Sequence, residues 1–270
     1  MGLDANVWVD PANARVLGGK YPLSILLDGM ELKTSYHDLN ALGFPVLSWH
    51  QKGSSSEAGI VLRELNGIID DFSAFSNGFV LIGHSRGGLL AKQLSDRNKA
   101  GLKLVITIAA PFRGSRIAGW VDRVAPVAAA LNIVFSVGRK QKKPSPLRRV
   151  LIYLSGSGVK EMVPGSDFVK ALSTKSSSGI RTISIGGTNP ALVRIKGKTL
   201  PSILKKMFSE KMLPDELREG MGDGFVSAAS SVCPGCCEHR NFHAHHHGLL
   251  FLPEARKYIL KEIASLGEER

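Results

Sequence analysis

Cysteine is scarce in this chain, and the three present, Cys233, Cys236 and Cys237, lie close together near the C-terminal end. So few thiols, odd in number and clustered, exclude a disulfide framework and favour a reducing compartment. Aromatic residues make up only 7% of the chain. They are scarce around its most basic stretch, residues 139–149, which therefore lacks the stacking platform of a single-strand nucleic-acid binder. No nucleic-acid partner is expected. Long hydrophobic runs are absent as well: the most apolar stretch, residues 117–137, is interrupted by Asp122, Arg123 and Pro126 and reads as an amphipathic element. No basic segment followed by an apolar one opens the sequence, so the chain as it stands carries no secretory signal. A cytoplasmic location is the expectation, replaced by secretion if a signal has been trimmed. Acidic residues are outnumbered, 23 against 35 Lys and Arg, for a formal charge of +12. That balance favours anionic partners without choosing among nucleic acid, acidic lipid and anionic substrates.

What is present is enough apolar material for a large core: 43% of the 270 residues are hydrophobic and 21% are charged. One domain spanning residues 1–270 is expected. Short apolar runs at residues 22–27, 44–49, 79–82, 102–109 and 180–185 read as strands, the first ending in Asp28-Gly29 and the last in Gly186-Gly187. Between them, apolar residues at helical spacing from Ile60 to Phe72 and a stretch over residues 88–96 read as helices. Alternation of this kind predicts an α/β fold, a mostly parallel sheet with helices on both faces. The rhythm breaks over residues 111–179, a segment far longer than an ordinary connection, which reads as an inserted helical cap.

Gly83-His84-Ser85-Arg86-Gly87 fits G-x-S-x-G between an apolar strand and a helix. In that context the pattern makes a sharp turn that lifts a serine hydroxyl above the sheet edge. Gly83 and Gly87 are the residues expected to let the backbone take that turn. A glycine-rich turn that only packs, or holds a phosphate, is the plainer reading of the same residues. A serine hydroxyl becomes a nucleophile when a histidine takes its proton and an acid orients the histidine. Asp223, inside Gly222-Asp223-Gly224, follows in the required order, with His246 further along. Asp-Gly pairs are also ordinary turns. Asp215, Glu216 and Glu219 are weaker acids because they sit in a solvated helical pattern.

These residues, Gly83-His84-Ser85-Arg86-Gly87-Gly88, Gly222-Asp223-Gly224 and His246-His247-Gly248-Leu249-Leu250, resemble three signatures of bacterial triacylglycerol lipases and related esterases. Ala110-Pro111-Phe112-Arg113-Gly114-Ser115 and Met162-Val163-Pro164-Gly165-Ser166-Asp167-Phe168 resemble two further segments of that family, so the likeness extends over residues 22–255. It implies an α/β-hydrolase fold with a catalytic triad of Ser85, Asp223 and His246, with His245 and His247 as rivals for the base, and no cofactor. It also implies an oxyanion hole of backbone N–H groups, assigned to Met30 and Arg86. The family's first strand usually ends in His-Gly, whereas here it ends in Asp28-Gly29-Met30.

The implied reaction is acyl-ester hydrolysis through an acyl-enzyme. A same-fold acyltransferase, thioesterase or amide hydrolase would use the same residues. The apolar positions of the cap and the segment Ile203-Leu204-Lys205-Lys206-Met207-Phe208, apolar residues beside lysines, suggest an acyl trough and a lid at a lipid–water interface, with core packing as the alternative. Residues 139–149 would add attraction to anionic lipid. Cys233-x-x-Cys236-Cys237-x-His239, followed by His243, His245 and His247, has ligand types and spacings that suit zinc; reduced thiols in a loop are the plainer reading. No metal is assigned. A rival of a different class, a zinc-stabilised binding protein without catalysis on the same scaffold, rests on that cluster, the +12 charge and the altered Asp28 turn.

Overall fold

The computed structural model describes residues 33–48, 58–73, 78–97, 100–117, 161–173, 179–192, 194–195, 197–206 and 208–268. The expected first strand at residues 22–27, Met30 and the middle of the expected cap, residues 118–160, lie outside them, as do the basic residues 139–149.

Four strands form one parallel sheet, β1 (Phe79–His84), β2 (Leu102–Ile108), β3 (Arg181–Gly187) and β6 (Glu238–Phe242), hydrogen-bonded in the order β1-β2-β3-β6. A two-residue pair, β4 (Arg194–Ile195) and β5 (Lys198–Thr199), makes a separate antiparallel ribbon. The central strands are apolar because both sides of a parallel sheet are covered. On one side Leu104, Ile106 and Ile108 of β2, with Ile183 and Ile185 of β3, form a core with α1 (Ser35–Ala41) and α6 (Pro253–Glu268). Leu39 of α1 and Ala255, Tyr258, Ile259 and Ile263 of α6 supply the helical half of that core. The positions on α6 recur at helical spacing, and its proline at the first turn fits a place where no intrahelical donor is needed. Arg256 ties the two helices together, its Nε donating to Asp38 at 2.7 Å and its Nη1 to the Lys33 carbonyl at 3.0 Å. Burial alone would raise the Asp38 carboxyl, but Arg256 and Lys33 together hold it below its ordinary value.

The other side of the sheet is covered by α3 (Arg86–Ser95), with α2 (Ala58–Ser73) packed on it. Ala91 of α3 meets Val105 and Leu102 of β2, while Leu90 and Leu94 meet Val61, Leu62 and Ile69 of α2. α4 (Asp167–Ser173) and α5 (Leu200–Leu204) complete the described helices.

Three elements differ from expectation. Residues 44–48 enter no strand among the described residues, and Phe44 and Leu47 are exposed; only Val46 packs against the core. The apolar run had suggested a buried strand, but Phe44 and Leu47 lie in solvent, so the run supplies no continuous buried face. The polar β6, with only Phe242 buried, carried no strand signal, because its other side chains are not fully covered. In the expected lid segment the helix ends at Leu204, which is itself buried in the cluster that holds Leu89, Phe112 and Leu217, so this apolar residue belongs to the core; Met207 lies outside the described residues.

Candidate active site

β1 runs directly into α3 through Ser85, whose backbone sits at φ 55°, ψ −126°, a region that side chains other than glycine seldom occupy. The Ser85 N–H still donates to the Ile108 carbonyl, extending the ladder by one step, while its own carbonyl accepts from Gly88 to start the helix, at 2.8 and 2.9 Å. Strand and helix thus meet with no intervening loop.

The turn needs Gly83 and Gly88. A Cβ on Gly83 would collide with the Gly87 carbonyl, and one on Gly88 would lie 2.6 Å from the Ala110 Cβ and 3.2 Å from that of Thr107. Gly87, expected to be the second required glycine, would meet no described atom within 4 Å. The physical reason lies in helix direction: Gly88 faces the sheet, so it sets how closely α3 approaches β2, whereas Gly87 does not.

Asp223 is held in a tight hairpin between Gly222 and Ser227. Its Oδ1 accepts the backbone N–H groups of Phe225 and Val226 at 2.9 and 2.7 Å. Gly224, at φ 97°, closes the turn, and a Cβ there would press on Leu192. Asp223 Oδ2 accepts from His246 Nδ1 at 2.8 Å, and the His246 backbone N–H donates to the Asp223 carbonyl at 2.9 Å. Both side chains are buried, 1% and 2% exposed. A carboxylate only accepts, so Nδ1 carries the proton and Nε2 of the neutral ring keeps its lone pair. The other histidines of the triplet are placed differently. His245 Nδ1 accepts from Gly248 N–H at 3.1 Å, and His247 shares with His246 an edge-on contact with Phe225.

The histidine loop is joined to the serine turn by a residue that sequence reasoning did not single out. His84, immediately before Ser85, donates from Nε2 to the His246 carbonyl at 3.0 Å, and their ring centroids are 4.7 Å apart. Burial, then the neighbouring His246, pushes His84 well below its ordinary value, and the same order of causes acts on His247. These rings stay neutral at physiological pH.

Arg86 opens α3, its backbone N–H at the positive end of the helix dipole. Its guanidinium pairs with Glu161, whose other oxygen accepts the Ala58 N–H at 3.1 Å. Nothing local in the sequence marks Glu161, because its partner lies 75 residues away. Glu216, placed above among the solvated acids, is buried instead: Oε1 accepts the Arg116 N–H at 2.7 Å, and desolvation raises its carboxyl above the ordinary value. Its carbonyl accepts the Gly224 N–H, bracing the Asp223 turn. The Gly114-Ser115 turn is stitched to the same region, Ser115 Oγ donating to the Phe225 carbonyl at 2.6 Å and Ser115 N–H to Met162 at 2.7 Å.

The cysteine and histidine residues proposed as zinc ligands do not all come together: Cys233, Cys236 and His239 gather around Ser184, whereas His243 lies near Glu219 and His245 caps its own turn. Among the described residues no three or more His, Cys, Asp or Glu side chains group to hold a metal ion. The zinc-stabilised reading is left with the +12 charge and the altered Asp28 turn.

Ser85 after β1, Asp223 after β3 and His246 after β6 all lie past the carboxyl ends of parallel strands. That order along the chain is the arrangement of an α/β-hydrolase. Among the described residues no helix is long and apolar enough to cross a membrane.

No protein-family model and no curated protein matches the chain. Similar solved structures include the Bacillus licheniformis lipase BlEst2 in mature form, at 16% identity over 72% of this chain and 67% of that one, TM-score 0.45. A carboxylesterase of Nitrososphaera gargenis is 13% identical over 87% of this chain and 86% of that one, TM-score 0.47. The Paleococcus ferrophilus monoacylglycerol lipase is 13% identical over 86% and 87%, TM-score 0.45.

Proposed function

We propose that the chain is a serine ester hydrolase of the lipase and esterase class. The observation that carries this reading is the buried Asp223–His246 pair joined, through His84, to a serine held at positive φ between strand and helix. In the proposed reaction Ser85 Oγ attacks the ester carbonyl carbon as His246 Nε2 takes its proton. Asp223 holds the ring with Nδ1 protonated and stabilises the positive charge that develops. Backbone N–H groups of Arg86 and Met30 stabilise the negative oxygen of the tetrahedral intermediate. His246 then returns the proton to the departing alcohol, leaving an acyl group on Ser85, and water activated by the same histidine releases the acid. Acyl esters of lipids at an interface are the proposed substrates, and residues 111–179 the proposed cap over them.

Initial rates of p-nitrophenyl butyrate hydrolysis, with wild type and Ser85→Ala in matched folded preparations, test the reading. We expect the variant to lose on the order of 10⁴-fold or more in kcat. Equal rates in both proteins, or no hydrolysis of short or long esters by folded wild type, would overturn it.

A further inference from the structure

Cys233-Pro234-Gly235-Cys236 forms a tight turn in which the Cys236 N–H donates to the Cys233 carbonyl at 3.2 Å. Proline at the second position and Gly235 at φ 70° in the third make it type II. Such a turn brings its end Cα atoms within about 7 Å, the separation a disulfide spans. The Cys233 thiol donates to the Pro234 carbonyl at 3.6 Å, inside the same turn. Cys233 is buried beside Leu89 of α3, while Cys236 is part-exposed and reachable from solvent. Around Cys236 stand polar groups from two strands. Ser184 Oγ of β3 lies 3.4 Å from its sulfur and 2.8 Å from His239 Nδ1 of β6, and also accepts the Cys233 N–H at 3.4 Å. Ser184 is fully buried, so this hydroxyl has been taken out of water to serve the turn.

We propose that Cys233 and Cys236 form a thiol–disulfide site, at which a hydroperoxide oxidises the pair to an intramolecular bond. Cys236 is the attacking sulfur. Its thiolate attacks the peroxide oxygen; the O–O bond breaks, the alkoxide or hydroxide leaves and takes up the proton that Cys236 released, and Cys236 becomes a sulfenic acid. Cys233 then attacks that sulfur, the S–O bond breaks, and hydroxide leaves as water with the Cys233 proton. In sum, two thiols and one hydroperoxide give one disulfide, one alcohol or water from the peroxide, and one further water.

The surroundings divide these roles between the sulfurs. The neighbouring Cys233 thiol brings Cys236 down to about 6, with Ser184 and His239 acting in the same direction and burial against it. The same proximity, followed by burial, raises Cys233. Lys92 of α3 and Asp96 just past its end also face Cys233 and act on it in opposite directions. The thiol most exposed in the segment, Cys237, has its backbone N–H committed to Thr182 and stands outside the turn.

The test uses the full chain, reduced, desalted and treated with equimolar hydrogen peroxide. It is then denatured and alkylated with N-ethylmaleimide for intact and peptide mass spectrometry. Wild type is expected to fall from three alkylated thiols to one, and Cys237→Ser from two to none, with Cys233 and Cys236 linked in one peptide. A Cys236–Cys237 link, cross-linked chains, or Cys233 still alkylated after oxidation would overturn the proposal. Iodoacetamide labelling of Cys236 against pH is expected to turn on near pH 6. A midpoint at the ordinary thiol value of about 8.5 would overturn the assignment of Cys236 as the attacking sulfur. Hydrolysis of p-nitrophenyl butyrate plays no part in either readout, so the site stands or falls independently of the proposed esterase.

Discussion

The serine turn and the Asp223–His246 pair lie at the same edge of one sheet but are built differently. The turn is local: six consecutive residues, two of them glycines with no room for a Cβ, carry the chain from β1 into α3. The pair is assembled from a hairpin and a loop 23 residues apart in sequence, and its precision comes from five hydrogen bonds around one carboxyl residue. A local device constrains the backbone through sterics, whereas an assembled one depends on neighbours that must themselves be placed. The first should therefore fail by destabilising the fold and the second by losing chemistry.

The largest effect should come from Asp223→Asn. The amide oxygen can still accept from Phe225 and Val226, but its NH2 would face His246 and force the proton onto Nε2. On the proposed mechanism kcat falls about 10⁴-fold with little change in the denaturation midpoint. A large loss of stability with activity per folded molecule unchanged would break the comparison.

A steric contrast comes next. Gly88→Ala should cost about 1–3 kcal/mol, because the new methyl group overlaps Ala110. Gly87→Ala, with open space and helical backbone, should stabilise by about 0.5–1 kcal/mol. Urea denaturation of both variants checks the sign as well as the size. Equal destabilisation by the two would mean that the turn depends on both glycines of the motif.

The smallest effect concerns the brace behind the pair. Burial raises the Glu216 carboxyl, so the folded state favours its protonated form. That stabilising preference is fully present below the unfolded value near 4.5 and is lost as pH rises through the higher folded value. Glu216→Gln keeps an oxygen for the Arg116 N–H and has no such loss. Its melting temperature relative to wild type should rise between pH 4 and pH 7, as followed by circular dichroism. A flat difference across that range would mean that Glu216 is as well solvated as its sequence pattern suggested.

Legibility followed the same division. The strands β1, β2 and β3, and the helices on either side of the serine turn, were readable because apolar runs and helical spacing are set by neighbouring residues. Ser85 was readable for the same reason. The polar β6 was not, since its place beside β3 comes from backbone pairing through Ile183 to Gly187 and leaves little trace in its side chains. Glu161 and His84 were likewise hidden, the first pairing across 75 residues and the second meeting a carbonyl 162 residues away.

By itself the sequence determined the alternation of strands and helices, the glycine-bounded serine turn and the order Ser85, Asp223, His246, because each depends on local sterics, hydrophobic period or position along the chain. Only the tertiary structure decided that His246 rather than its neighbours bonds Asp223, that Glu216 is buried, and that Cys233, Cys236 and His239 gather apart from His243 and His245. In each case a side chain's partner is fixed by parallel strands laid side by side, and distance in the chain says nothing about distance across the sheet.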